Sequence, residues 1–204
     1  MSNVIKLIVG LGNPGSEYAK TRHNAGFRWV DRLCEKERIT LRADKKFHGD
    51  VARLNSGGNE LWLLEPMTFM NVSGRAVVAL ALFFKILPNE ILVVHDELDL
   101  PPGTVKMKPG GGHGGHNGLK DIIAHLGTQD FWRLRIGIGH PGDRDEVINY
   151  VLQAPRAEER PLIDETITRS LDLFPLIARG ELQAAMLKLH TKPKAATESK
   201  EEKS

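Results

Sequence analysis

The sequence predicts an α/β protein, a single three-layer α/β/α domain on a twisted mixed β-sheet. Short apolar runs typical of buried strands alternate with longer segments whose apolar residues recur at helical spacing. Two strand-like runs flank Asn55-Ser56-Gly57-Gly58-Asn59, a hairpin signal, so the sheet should contain antiparallel as well as parallel strands. The 204 residues are enough to bury a substantial core in one domain.

The first half of the chain carries strand and helix signals in a clear order. An apolar run over residues 4–9 is followed by glycine and predicts a buried strand. Apolar residues at helical spacing predict a helix over residues 25–38. The runs 51–54 and 61–64 predict the two strands of the hairpin.

The middle of the chain follows the hairpin with further helix and strand signals. Residues 73–86 are apolar and rich in alanine, which predicts a buried helix that ends before Pro88. Residues 91–94 form a continuous apolar run and predict a strand. Residues 117–126 predict a short helix, and the alternation over residues 134–138 predicts another strand.

The C-terminal part predicts a helix and a tail. Residues 161–177 predict a long helix that begins at Pro161 and is kinked or ended by Pro175. Residues 191–204 are rich in lysine and glutamate and contain no aliphatic core former beyond alanine, which predicts a disordered charged tail. The globular domain is therefore expected to span residues 1–190.

Composition limits the class of protein. The formal net charge of +2 is too small for a general nucleic-acid coat. Cys34 is the single cysteine, which fits a reducing compartment, and its helical surroundings favour a buried small hydrophobe over a nucleophile. Neither a signal peptide nor an apolar stretch of membrane-spanning length is visible. We therefore expect a cytoplasmic protein without membrane association.

The stretch from Gly110 to Lys120 is the most informative of the chain, with six glycines, two histidines and an asparagine. Glycine costs the most backbone entropy to order, so such a run is kept where the backbone takes unusual angles or approaches a ligand closely. A second polar segment, His95 to Asp99, follows an apolar strand signal. The two segments together predict a reaction site built on loops.

Five polar residues flank the predicted strand ends and helix starts: His23, Asn13, Asn71, Asp96 and Asn117. If their loops gather at one edge of the sheet, they supply an imidazole, a carboxylate and three amides. The imidazole can take a proton from water, and the carboxylate can fix its tautomer. The amides can position the water and stabilise an oxyanion. The pattern therefore predicts hydrolysis of an ester or amide.

Two other kinds of site stay open at this point. Gly10 to Gly15 fits the GxGxxG dinucleotide fingerprint, but no helix starts within it and Pro14 removes a backbone donor. His113 and His116, with Asp96 or His95 as a further ligand, could hold zinc, although their spacing is not that of a helical HExxH site. Hydrogen bonding within the glycine-rich loop is the simpler interpretation of these histidines. The sequence contains no GxSxG elbow and no Walker A motif.

A local group of cations, Lys106, Lys108, Lys120, Arg133 and Arg135, could bind a phosphate. A scatter of solvated surface cations explains the composition equally well. The alternative from another functional class is a non-catalytic module that grips the phosphates of RNA or a nucleotide with its glycine loops.

Six sequence blocks resemble the bacterial peptidyl-tRNA hydrolase family. Each block alone is a weak signal, but all six in the family's order, over roughly residues 4–151, are very specific. The blocks are Gly10-Leu-Gly-Asn-Pro-Gly15 with Glu17-Tyr18, Thr21-Arg-His-Asn-Ala-Gly26, Thr68-Phe-Met-Asn71 with Ser73-Gly74, His95-Asp-Glu-Leu-Asp-Leu-Pro101, Gly110 to Lys120, and Arg133-Leu-Arg-Ile-Gly-Ile-Gly-His-Pro141.

The resemblance implies one α/β/α domain that cleaves the ester between a peptide and the 3′ end of tRNA, and it implies no cofactor or metal. The small basic patch and the long helices favour a monomer as the default oligomeric state. It implies that His23 is the general base on water, that Asp96 holds it in its basic form, and that Asn13 distinguishes N-blocked from free aminoacyl groups. It also implies two sets of substrate contacts. These are Tyr18, Phe69, Asn71 and Asn117 for the 3′ CCA end and the peptide, and Lys108 and Arg135 for the 5′ phosphate.

Overall fold

The computed structural model describes residues 4–191. Within this range, seven strands form one sheet with the order β2-β3-β4-β1-β5-β7-β6. The strands are β1 Leu7–Gly10, β2 Arg42–Asp44, β3 Gly49–Ser56, β4 Asn59–Pro66, β5 Ile91–Glu97, β6 Val105–Pro109 and β7 Trp132–Gly137.

The sheet is mixed, as the sequence predicts. Strands β4, β1, β5 and β7 run parallel to one another, whereas β2 with β3, β3 with β4, and β6 with β7 are antiparallel pairs. The predicted hairpin is β3–β4. It turns at Gly57 and Gly58, which both have positive φ, a conformation that glycine adopts most readily.

Helices cover both faces of the sheet. One core cluster joins one face to the first, fifth and seventh helices, and a second core cluster joins the other face to the second and third helices. This arrangement confirms the α/β class with helices on both sides. The helices are α1 Ala25–Glu37, α2 Ser73–Phe83, α3 Asn117–Leu126, α4 Val147–Val151, α5 Glu159–Leu171, α6 Phe174–Ala178 and α7 Leu182–His190.

Several predictions about single elements are confirmed. Helix α3 has the predicted bounds, and α1 ends one residue before the predicted position. Helix α2 ends three residues early because Lys85 takes a left-handed conformation, with φ of 54°, and the Ile86 amide then turns back to the Ala81 carbonyl at 2.8 Å. Cys34 is buried, as expected, and burial raises the pKa of its thiol to about 12.

The prediction of one long helix over residues 161–177 is wrong in length, because two helices cover this range. Helix α5 ends at Leu171, and Pro175 lies in the first turn of the separate helix α6, where a missing amide costs nothing. Strands β2 and β6 and helices α4 and α7 were not predicted. Strand β6 lies shortly before the glycine-rich stretch that begins at Gly110.

None of the helices in residues 4–191 has the length and apolar character needed to cross a lipid bilayer. The charged tail predicted for residues 191–204 lies, apart from residue 191, outside the described residues.

Candidate active site

The polar loops gather at one edge of the sheet because β4, β1 and β5 are adjacent and parallel, so their carboxyl ends meet there. They enclose a cleft of about 440 Å³. All seven residues predicted for the reaction centre and the 3′ end line this cleft. They are Asn13, Tyr18, His23, Phe69, Asn71, Asp96 and Asn117.

The close approach of the start of α1 to the ends of β1 and β5 positions His23. The residue lies in a single 3-10 turn, Arg22–Asn24, directly before α1. A Cβ on Gly26 would collide with the backbone amide of Leu11 and the carbonyl of Val94, so only glycine lets α1 begin this close to the ends of β1 and β5. The helix start thereby holds His23 over the end of β5.

The loop after β1 is tied to the same turn by an amide side chain. Asn24 accepts from the Asn13 amide and donates to the Asn13 carbonyl, each at 2.9 Å. The Asn13 side-chain oxygen accepts from the Met70 amide at 2.7 Å. This bond orients the side chain and leaves its NH₂ group without a partner among the described residues, so a donor lines the cleft.

His23 and Asp96 form a buried hydrogen-bonded pair. His23 Nδ1 lies 3.0 Å from both Asp96 oxygens, and His23 is only 8% exposed. A carboxylate can only accept, so Nδ1 carries the proton and donates it. The free nitrogen is therefore Nε2, to which no other described residue bonds, and His23 lines the cleft. A histidine held in this tautomer can accept a proton from water at Nε2.

His116 is a second donor to Asp96 that the sequence argument did not assign. Its Nε2 lies 2.9 Å from Asp96 Oδ1, and its Nδ1 accepts from the Leu119 amide at 3.3 Å, so the Nε2 proton faces the carboxylate. His113 accepts from the Gly115 amide within the loop, as expected from the simpler interpretation. A polar residue capping a predicted helix start is the signal that could have singled out His116.

The charges of this cluster act on one another. Burial alone lowers the pKa of His23, but the charge and hydrogen bond of Asp96 outweigh it, so the pKa lies above its usual 6.5. Burial would raise the pKa of Asp96, but His23 and His116 hold it well below its usual range. Asp96 therefore stays ionised and stabilises a proton on His23.

His95 lies beneath this cluster in neutral form. It is fully buried and donates from Nδ1 to the Asp96 carbonyl at 2.7 Å. Burial first, and then the charge of His116, lower the pKa of His95 to about 3. A neutral imidazole at this position adds no positive charge that would compete with His23 for Asp96.

The same cluster has the composition of a metal site. His23, Asp96 and His116 each bring one ligand atom within 4.8 Å of the others. Histidine binds a metal through a lone pair, whereas here both imidazole nitrogens that face Asp96 carry a proton. The observed hydrogen bonds would have to be replaced for a metal to bind.

The other predicted cleft residues form a rim. Phe69 is 60% exposed and meets the edge of Tyr18 at a centroid distance of 6.5 Å. Asn71 and Asn117 are exposed, and Asn117 is the first residue of α3. An exposed aromatic face and a helix N-terminus suit a stacked base and a developing negative charge.

The sequence did not indicate the wall of the cleft opposite this rim. It is apolar and comes from α4 and the residue after it, with Ile148 67% exposed. Arg22, adjacent to His23, holds this segment by donating to the Tyr150 and Ala154 carbonyls at 3.1 Å and to Glu159 at 2.6 Å. Its guanidinium also stacks on the Tyr150 ring at 3.9 Å. Arg22 therefore ties the turn that carries His23 to the segment that forms the wall.

Lys108 and Arg135 lie outside the cleft on the β6–β7 edge of the sheet. The alternation of these two strands sends Val105, Met107, Leu134 and Ile136 into the core, and their other face carries Lys106, Lys108, Arg133 and Arg135. Four of the five predicted cations are thus neighbours on one sheet face, which we call the basic face, whereas Lys120 lies on α3.

Arg133 connects the basic face to the glycine-rich loop. It is 1% exposed, stacks on Phe131 at 4.7 Å, and donates to the carbonyls of Gly111 and Gly112. Gly110, Gly111, Gly114 and Gly115 have positive φ. The unusual backbone predicted for this loop is confirmed, and the loop ends by presenting His116 and Asn117.

Comparison with known proteins decides the family. The sequence profile described as Peptidyl-tRNA hydrolase matches residues 7–198 of this chain. The chain belongs to the peptidyl-tRNA hydrolase family. The family that the six sequence blocks resemble is therefore confirmed.

Several peptidyl-tRNA hydrolases are similar over nearly their whole length. The protein of that name from Nitrosospira multiformis is 65% identical over 187 residues, covering 92% of this chain and 98% of the relative. The one from Nitrosomonas europaea is 56% identical over 188 residues, covering 92% and 96%. The crystal structure of peptidyl-tRNA hydrolase from Acinetobacter baumannii superposes with a TM-score of 0.89 at 52% identity, covering 93% of this chain and 95% of that chain.

Proposed function

We propose that this protein hydrolyses the ester that joins a peptide to the 3′ end of tRNA, with His23 as the general base on water. The observation that carries the proposal is the His23–Asp96 pair at 3.0 Å, with the free imidazole nitrogen at an open cleft. Family membership supports the reaction and the substrate class. General-base action typically contributes about 10²–10⁴-fold to a rate.

The proposed chemical step needs few groups because an ester is more reactive than an amide. His23 Nε2 takes a proton from water while the water oxygen attacks the ester carbonyl, and Asp96 stabilises the imidazolium that forms. The oxyanion can be met by the free NH₂ group of Asn13 or by Asn117 at the start of α3. Collapse of the intermediate expels the ribose oxygen, which takes the proton from His23.

The binding of tRNA is proposed to use two separate regions. Tyr18, Phe69 and Asn71 are suited to the 3′ CCA end at the rim, and Asn13 to the N-blocked aminoacyl group. Lys108 and Arg135 on the basic face are suited to the 5′ phosphate. A local patch explains how a protein of small net charge can bind RNA.

The proposal is tested by comparing N-acetyl-aminoacyl-tRNA with unblocked aminoacyl-tRNA. We expect release from the blocked substrate only, and we expect His23→Ala to lower kcat by about 10²–10⁴-fold with unchanged circular dichroism. His125→Ala, on α3 outside the cleft, is the matched control. Tight binding without release of either substrate would favour the non-catalytic module, and a wild-type rate in His23→Ala would reject the base.

A metal-dependent hydrolase is the second candidate, because His23, Asp96 and His116 converge within 4.8 Å. Dialysis against a chelator, followed by re-addition of zinc, separates the two mechanisms. The general-base mechanism predicts full activity after chelation and no gain with zinc. Loss of activity that zinc restores would favour the metal.

We infer a cytoplasmic monomer as the working form. The single buried cysteine fits a reducing compartment, and the substrate chemistry belongs where tRNA is aminoacylated and used. Sedimentation at working concentrations tests the monomer, and a stable dimer would contradict it.

A further inference from the structure

The ion pair between Arg135 and Glu97 joins the basic face to the cleft. Arg135 Nε donates to Glu97 Oε2 at 2.9 Å, and the side chains are 18% and 17% exposed. Glu97 is the last residue of β5, directly after Asp96, and it lines the cleft. One carboxylate therefore contacts the proposed phosphate site and borders the proposed reaction centre.

The position of Glu97 is fixed from both of its oxygens. While Oε2 accepts from Arg135, Oε1 accepts from the backbone amide of Asp99 at 3.1 Å, in the turn that follows β5. A carboxylate with both oxygens engaged has little freedom to swing away. The Arg135 Nε that donates to it is therefore restrained.

The pair uses the side of the guanidinium that a phosphate does not need. Arg135 bonds Glu97 through Nε, and within residues 4–191 neither Nη group has a hydrogen-bond partner. The two Nη groups form the outer edge with which arginine can bind phosphate oxygens in a fork. Glu97 thus leaves that edge available while holding the opposite one.

Glu97 also offsets the repulsion within the basic face. Burial lowers the pKa of Lys108, the charges of Arg135 and Arg133 lower it further, and Glu97 raises it. The same carboxylate raises the pKa of Arg133, which burial and Arg135 lower. This negative charge offsets part of the repulsion among the three cations.

We infer that Glu97 is a positioning residue for tRNA, which orients Arg135 so that its Nη edge receives the 5′ phosphate. The inference rests on the proposed phosphate clamp and adds a residue that the clamp requires. Glu97 acts through Arg135 and does not itself bind the phosphate, since two negative groups repel each other. Its removal should therefore weaken binding, although it removes a negative charge from beside an anion.

Removing Glu97 is expected to change KM in the direction opposite to the one that simple electrostatics predicts. Simple electrostatics predicts that losing a carboxylate near the 5′ phosphate improves tRNA binding. Positioning predicts the opposite, a rise of about three- to tenfold in KM for Glu97→Ala, because the guanidinium edge is no longer aimed. Glu97→Gln keeps an oxygen acceptor and should have an intermediate effect.

The test is a double-mutant cycle with Arg135→Ala, using one N-acetyl-aminoacyl-tRNA with and without its 5′ phosphate. We expect Glu97→Ala to raise KM more for the phosphorylated tRNA, and to add nothing in the Arg135→Ala background. Asp99→Asn, which changes an exposed carboxylate in the same turn, is the control and should not change the ratio of the two KM values.

The outcomes separate the inference from the clamp beneath it. A lowered or unchanged KM in Glu97→Ala, or an equal effect in the Arg135→Ala background, overturns the role of Glu97 while the clamp stands. An Arg135→Ala variant with unchanged KM for phosphorylated tRNA rejects the clamp, and the inference falls with it. Thermal unfolding of each variant shows whether a change in KM reflects loss of folded protein.

Discussion

Replacing Asp96 with asparagine tests the proposed mechanism most directly, because the geometry dictates what the new amide must do. Both Asp96 oxygens lie 3.0 Å from His23 Nδ1, and Oδ1 also accepts from His116 at 2.9 Å. Whichever way the amide turns, its nitrogen occupies a position 3.0 Å from His23 Nδ1. A donor there favours the tautomer with the proton on Nε2, so the nitrogen at the cleft can no longer accept one.

The expected loss is large and depends on pH. Removing effective general-base action should lower kcat/KM by about 10²–10⁴-fold, which corresponds to about 3–5 kcal/mol. The base works in its neutral form, so kcat/KM rises as the pH passes the pKa of His23. In Asp96→Asn, burial still lowers that pKa while the charge that raised it is gone. The acid limb should therefore move to lower pH.

The assay is release of the N-acetyl-aminoacyl group from tRNA, measured from acid to weakly alkaline pH. His116→Ala is the matched control, because it removes the second donor but keeps the Asp96 charge and its bond to His23. It should retain the acid limb of the wild type. A rate for Asp96→Asn within about tenfold of wild type, or an acid limb that does not move, would refute the reasoning.

Three further variants test the fold and the basic face. Burial raises the pKa of Glu65 from 4.5 to about 9, so the protein loses stability as the pH rises through that interval. In urea unfolding, Glu65→Gln should therefore gain about 3 kcal/mol of unfolding free energy at pH 7 and little in acid, whereas the control Glu60→Gln, at an exposed position, should be unchanged. Gly26→Ala should lose about 1–3 kcal/mol of unfolding free energy through overpacking, whereas Gly112→Ala should show no such strain. Equal stabilities of the two variants would contradict the close approach of α1 to the ends of β1 and β5. Lys108→Ala should reduce the slope of log KM against log salt by about one, and an unchanged slope would argue against a phosphate contact.

The regular elements that the sequence predicts well have strong local signals. Helix α3 has the bounds given by its apolar spacing and its flanking glycines. The hairpin β3–β4 follows from two alternating runs around Gly57-Gly58. The elements that were missed or wrongly bounded have weak or mixed signals. Strand β6 alternates lysine with apolar residues beside glycines. Pro175 can end a helix or lie in the first turn of one, and here it lies in the first turn of α6.

The site also contains residues that the sequence indicates and residues that it does not. Asn13, His23, Asp96 and Asn117 could be named from the sequence because each is a polar residue beside a strand end or helix start. Nothing local indicated that His116 would bond Asp96, that Arg22 would hold the wall at α4, or that Glu97 would bond Arg135. Each of these three contacts joins residues at least 20 positions apart in the sequence.

The sequence by itself determined the α/β class, the family and the chemical types available for hydrolysis, because hydrophobic period and polar loop residues are properties of short segments. Only the tertiary structure decided which of those groups act together. The parallel order β4-β1-β5 brings three loops to one edge, and the glycine at position 26 lets a helix start close enough to place His23 on Asp96. Proton transfer and phosphate binding depend on separations of about 3 Å, which packing fixes and sequence spacing does not.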